Sequence, residues 1–224
     1  MANFLKKDPN FKIIINIFNS NNIPYWICHG TLLGIIRDKK LIDWDHDIDL
    51  AVWSNQVNKK EIINLIIKKG FKLREGFGVE SDVVSFDRLG GRIVDINFYE
   101  ISKNKDLAYI KWHIPKNNFM KLVDALAEYK KYNGKYKKLL NFFSLSSNLF
   151  KYLKKYLIKK KLFYKQIGYS EPLDLIGKPK TVYFQELKVK IPFKPEEYLE
   201  YIYGIEWKVP KKNYTWYKDS KSVI

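Results

Sequence analysis

Apolar residues return at Phe11, Ile14, Ile15 and Phe18, a spacing that predicts a helix over residues 11–22. After Pro24, the run Tyr25-Trp26-Ile27-Cys28 reads as a short buried strand. His29-Gly30-Thr31 then turns the chain into a short helix from Leu32 to Arg37. From Asp47 to Trp53, acid and apolar residues alternate with the period of a strand. Glu61 to Lys69 is an amphipathic helix stopped by Gly70. Strands are predicted from Val79 to Phe86 and from Arg92 to Tyr99, turned at Gly90-Gly91 into a hairpin. Residues 121–165 interleave lysine with Leu, Phe and Tyr and read as helices. Residues 182–193 read as one strand ending at Pro192, and Pro195 to Tyr203 as a helix closed by Gly204. The expected fold class is α/β (α+β), a mixed sheet flanked by helices with a helical C-terminal part. With no repeats and no flexible linker, residues 1–224 are expected to form a single domain, its core over about residues 10–100 and a basic helical part over 101–224.

Charge narrows the partners. The net charge is +17, from 41 Lys+Arg against 24 Asp+Glu, and only Arg37, Arg74, Arg88 and Arg92 are arginines. Lysine gives point charge without bidentate recognition. The surplus therefore implies diffuse attraction to polyanions such as phosphorylated substrates, anionic lipid or nucleic acid. The single cysteine, Cys28, excludes an internal disulfide and a cysteine-rich zinc site. The N-terminal residues carry no apolar signal region, and no run of about 18 apolar residues exists. The expected location is cytoplasmic, with room for peripheral contact at the inner face of a membrane.

The candidate chemistry lies in the acids. On a strand, Asp45, Asp47 and Asp49 share one face, while Ile48, Leu50 and Val52 fill the other. Three like charges on one face repel, and a hard divalent cation such as Mg²⁺ or Mn²⁺ removes the conflict. Asp95, between Val94 and Ile96, is again an acid inside an apolar strand and can complete the site from a neighbouring strand. A lone Asp-x-Asp is ordinarily a solvated edge. The triple alternation and the second embedded acid count against that here. Asp47, Asp49 and Asp95 are the expected metal ligands, with Asp45 a further candidate, while His46 is expected to face away. Gly30 and Thr31, turning from a strand into a helix, suit a phosphate, and Arg37 can either reach one or pair with the acidic cluster.

Together these blocks resemble the LicD/fukutin family of the nucleotidyltransferase superfamily. The match runs through Gly30-Thr31-Leu32-Leu33-Gly34-Ile35-Ile36-Arg37, then Ile42-Asp43-Trp44-Asp45-His46-Asp47-Ile48-Asp49, then Val94-Asp95-Ile96. It ends at Tyr198-Leu199-Glu200-Tyr201-Ile202-Tyr203-Gly204, with Trp207 and Pro210 beyond. The resemblance implies a nucleotidyltransferase-like fold, a phosphate-binding turn at Gly30 and Thr31, and Asp47, Asp49 and Asp95 as the catalytic carboxylates. It implies a phosphotransferase that moves phosphocholine, ribitol phosphate or glycerol phosphate from a CDP-activated alcohol to a glycan hydroxyl, in cell-surface polysaccharide or lipopolysaccharide biosynthesis. The acceptor glycan could be lipid-linked. Two other readings stay open: transfer of NMP from an NTP to a small molecule or RNA, and a basic nucleic-acid-binding module. The second leaves the acids without purpose, so nucleic acid is the less favoured partner.

The basic stretch 130–165 has three readings: a helix lying on an anionic membrane, a groove for an anionic glycan or nucleic acid, and solvated lysines over a packed apolar face.

Overall fold

Asp8 caps the first helix. Its carboxylate accepts hydrogen bonds from the backbone N–H of Asn10 (2.9 Å) and Phe11 (3.1 Å), and Pro9 follows at the first helical position. That cap starts helix α1 (Pro9–Ser20) two residues before the first apolar repeat. The computed structural model describes residues 7–74, 82–127, 147–214 and 219–223.

The remaining elements in chain order begin with β1 (Trp26–Ile27), α2 (His29–Leu33), β2 (Asp47–Trp53), α3 (Lys59–Lys68), β3 (Lys72–Leu73) and β4 (Val83–Asp87). Then come β5 (Ile93–Ile101), β6 (Leu107–Pro115), α4 (Asn118–Ala127), α5 (Ser147–Lys159) and β7 (Tyr164–Pro172). The last are α6 (Leu173–Ile176), β8 (Lys180–Phe184), β9 (Leu187–Ile191) and α7 (Pro195–Tyr203). A π-helical turn, Gly34–Asp38, extends α2.

Among the described residues, seven strands form one mixed sheet in the order β1-β2-β5-β4-β3, with β6 on β5 and β7 on β6. β2 and β5 run parallel, and β4 and β5 form an antiparallel hairpin. The sheet and its flanking helices are the mixed α/β fold that the sequence predicts. The hairpin turn is tied to α1. Asn10, fully buried, donates from Nδ2 to the carbonyls of Arg88 (2.9 Å) and Arg92 (2.8 Å). Gly91 leaves room for that side chain, since a Cβ there would lie 2.5 Å from Asn10. Arg92 N–H in turn donates to Asp8 Oδ2 at 3.1 Å. The start of β5, two residues before Asp95, is thereby fixed.

The described chain divides into two compact units. One joins Met1–Lys111 with Gly168–Ile224; the other is Trp112–Ile167. In the second, α4 and α5 enclose Met120, Val123 and Phe163, with Phe150, Leu153, Leu157 and Tyr164 packed against them. Residues 128–146 of the predicted helical stretch, and residues 79–81 of the first predicted hairpin strand, lie outside the described residues. Among the described residues, no helix is long and apolar enough to cross a membrane.

Three local readings are corrected. Residues 182–193 form a hairpin rather than one strand, turned at Gln185 and Glu186, both with left-handed φ (50° and 68°). Neither residue is Gly or Asn, so the usual signal of such a turn is missing. Residues 164–165, read as the end of a helix, open β7. Its Gly168 lies so close to Ile110 that a Cβ would meet the Ile110 carbonyl oxygen, the close backbone approach for which strand glycines are used. The helix after Cys28 starts at His29 rather than Leu32, with His29 itself at φ 48°.

Asp8→Ala removes the acceptor of three backbone N–H groups. The expected cost is about 1–2 kcal/mol, or a fall in Tm of roughly 2–8 °C. Thermal denaturation checks it, and an unchanged Tm would remove the capping role.

Candidate metal centre

The pairing of β2 with β5 builds the site. In their parallel register Asp49 lies opposite Asp95, and Asp47 stands two residues earlier on the same face of β2. One carboxylate oxygen from each of Asp47, Asp49 and Asp95 lies within 4.8 Å of the other two. The alternate residues Ile48, Leu50, Val94 and Ile96 are fully buried and hold the strands in the core.

Electrostatics shows what such a cluster lacks. The Asp49 charge, then burial, then Asp45 push the Asp47 carboxyl up to about 9. Burial, then the Asp49 charge, push Asp95 up to about 6, against the opposing Ser85 hydrogen bond and Arg74 charge. Asp45 is also raised, chiefly by burial. Carboxylates this close do not all ionise without a counter-charge. Three carboxylate oxygens converging on one point, with the ionised forms of Asp47 and Asp95 disfavoured by burial and neighbouring charge, fit a hard divalent ion. Asp47, Asp49 and Asp95 are the residues able to hold it.

Each ligand is positioned by neighbours. Thr31, buried at the start of α2, accepts the Asp49 backbone N–H on Oγ1 at 2.8 Å, while the Asp49 carbonyl accepts from Cys28 N–H at 3.2 Å. Ser85, the register partner of Asp95 on β4, donates its hydroxyl to Asp95 Oδ1. Arg74 Nη1 in turn donates to Ser85 Oγ at 3.1 Å. Asp45 precedes the strand and accepts from His46 N–H at 3.1 Å. Its Oδ2 fills the space where a Gly30 side chain would begin, 2.3 Å from an ideal Cβ. Gly30 thus admits the Asp45 carboxylate to the first turn of α2. Arg37 meets Asp38 through two hydrogen bonds of 2.8 Å and reaches the Trp207 carbonyl at 3.5 Å, so its partners lie away from the acids. His46 is exposed.

Behind Asp49 lies a buried network that sequence reasoning did not find. His29 Nδ1 lies 3.8 Å from Asp49 Oδ1, and its Nε2 lies 3.3 Å from Glu171 Oε1 and 3.2 Å from the Tyr99 hydroxyl. Tyr99 and Tyr198 donate to the two oxygens of Glu171 at 3.0 and 2.9 Å. Glu171 is fully buried, so these partners replace its water. Tyr198 stood in the recognisable C-terminal block. Glu171, on β7, had no local signal because its strand lacks apolar alternation.

The family described as LicD/FKTN/FKRP, nucleotidyltransferase domain, matches residues 22–194. Human ribitol-5-phosphate transferase FKTN is 23% identical over 205 residues, 92% of this chain and 34% of its own length. An uncharacterized protein of Rickettsia typhi is 26% identical over 117 residues, 52% of this chain and 35% of its own. The chain thus spans about a third of the length of these curated relatives. Among solved structures, the lincomycin-bound lincosamide antibiotic adenylyltransferase LnuA aligns with a TM-score of 0.45 at 10% identity, covering 85% of this chain and 83% of that one.

Asp47 and Asp95 hold protons in the folded chain at pH values where the unfolded chain, with carboxyls near about 3.9, has lost them. The metal-free protein therefore keeps this stability below about pH 4 and loses it as pH rises through about 6 for Asp95 and about 9 for Asp47. Added Mg²⁺ or Mn²⁺ should accordingly raise Tm more at pH 8 than at pH 5.5; an equal rise at both would oppose the site. Asp47→Asn, which removes the need to take up a proton on folding, is expected to raise the metal-free Tm near pH 8 by about 2–4 °C. The same variant should respond weakly to the metal in scanning fluorimetry.

Proposed function

The chain belongs to the LicD/FKTN/FKRP nucleotidyltransferase-domain family, and on that premise we propose that it is a metal-dependent phosphotransferase. It moves a phospho-alcohol unit, such as ribitol phosphate, glycerol phosphate or phosphocholine, from a CDP-activated donor to a glycan hydroxyl. The observation that carries this reading is the convergence of Asp47, Asp49 and Asp95 from two parallel strands. We assign the reaction to cell-surface polysaccharide or lipopolysaccharide biosynthesis, on the cytoplasmic side of the membrane.

Asp47, Asp49 and Asp95 would hold Mg²⁺ or Mn²⁺, with Asp45 beside them. When bound, the cation neutralises diphosphate charge and favours departure of CMP. The acceptor hydroxyl oxygen forms a bond to the phosphorus that carries the alcohol. The bond from that phosphorus to the CMP oxygen breaks, and the electron pair leaves with CMP. Asp95 takes the hydroxyl proton. Ser85 holds one of its oxygens so that the other is aimed. Gly30 and Thr31 at the start of α2 are assigned to the donor phosphates. Arg37, at the end of the same helical segment, is assigned to the same phosphates, which it would reach by exchanging its Asp38 partner. His29 and Glu171 stand behind Asp49 and fix its direction rather than touching substrate.

The test is CMP release from CDP-ribitol, CDP-glycerol and CDP-choline with Mg²⁺, with Mn²⁺ and with EDTA. One donor is expected to release CMP only with metal. Asp49→Ala should lower that rate on the order of 10³-fold while the far-UV circular dichroism is kept. Full activity in EDTA would refute the assignment, and pyrophosphate release from an NTP would move it to nucleotide transfer.

A further inference from the structure

The outward face of α5 takes no part in the chemistry above. Residues 147–162 carry six lysines, Lys151, Lys154, Lys155, Lys159, Lys160 and Lys161, and no acid. The inner face of the helix is accounted for. Phe150, Leu153 and Leu157 pack against Met120, Val123 and Phe163, and Lys154 pairs with Asp124 at 2.7 Å. Helical periodicity turns Leu149, Tyr152 and Tyr156 onto a second stripe about a quarter turn from that face, where they are 67%, 73% and 52% exposed. Lys151, Lys155 and Lys159 run exposed along one flank of that stripe. Lys160 stands over the Tyr156 ring, 6.0 Å from its centroid, and Leu162 continues the exposed apolar surface past the end of the helix.

We propose that this face docks on an anionic lipid surface, with Leu149, Tyr152 and Tyr156 at the boundary between headgroups and acyl chains and the lysines over lipid phosphates. Three observations select that occupant. Tyrosine beside aliphatic residues, with lysine at the margin, is the composition of an interfacial helix. The charge is supplied by lysine alone, since all four arginines lie between residues 37 and 92. A nucleic-acid surface would call on arginine for bidentate phosphate and base contacts. Finally, thirteen residues of helix extend about 20 Å, short of the ~30 Å of a hydrocarbon core, so the helix lies on a bilayer rather than across it. A phosphotransferase held at such a surface would meet acceptors built on lipid carriers, but the docking itself needs no donor.

Co-sedimentation of the whole chain with vesicles of phosphatidylcholine, alone or mixed with phosphatidylglycerol, tests the proposal without any substrate. It therefore stands or falls separately from the transfer reaction. The chain is expected to pellet with the anionic vesicles only, and less so as salt is raised. The triple variant Lys151→Gln, Lys155→Gln, Lys159→Gln should weaken partitioning on the order of 100-fold. Tyr152→Ser with Tyr156→Ser should weaken it on the order of 10-fold, and both variants should keep the native Tm because these side chains are exposed. Failure of the native chain to pellet with anionic vesicles would overturn the proposal, as would a triple variant that binds like the native chain. So would vesicles being ignored while the tyrosine variant abolishes a dimer, or the lysine variant abolishes oligonucleotide binding.

Discussion

Seven residues of β2 lie parallel to seven of β5, and the site exists because of that pairing. The side-chain period of a strand is two, so a slip of one residue would carry Asp95 to the face where Ile48 and Leu50 are buried. Register is held by apolar residues on the buried face and by polar ties at both ends. Thr31 grips the Asp49 backbone, Ser85 grips the Asp95 side chain, and Asn10 holds the turn from which β5 departs. None of these three residues is a metal-ligand candidate. They are the means by which a fold keeps like charges together against their repulsion.

The acid alternation was legible because it is local. Asp47-Ile48-Asp49-Leu50 states both the strand and its two faces within four residues. The hairpin at Gly90-Gly91 was legible for the same reason, and so was α7, with Pro195 at its start and Gly204 past its end. What could not be read depends on distance along the chain. Ser85 becomes a partner of Asp95 only once β4 and β5 are in register. Glu171 becomes a partner of His29 only once β7 has returned to the sheet, and its sequence gives no alternation to announce a strand. Arg37 carried a signal of charge but not of direction, and Asp38 beside it takes both of its strong hydrogen bonds.

The lysine surplus resolves into unequal parts. Some lysines are paired, as Lys154 is with Asp124 and Lys194 with Asp174. Others border aromatic rings, as Lys160 does Tyr156 and Lys212 does Trp44. A bulk count of charge cannot separate these situations, yet they differ in what they bind. Only where lysines frame exposed apolar side chains does the excess define a surface with a preferred partner.

Glu171 accepts from Tyr198, and its contact with His29 reaches back past more than half of the chain. A ribosome delivers these parts in order. Asp47, Asp49 and Asp95 emerge early, with their mutual repulsion, while the wall behind Asp49 waits for β7 and α7. The acidic face is therefore made before the residues that brace it, so the native site can close only late in synthesis.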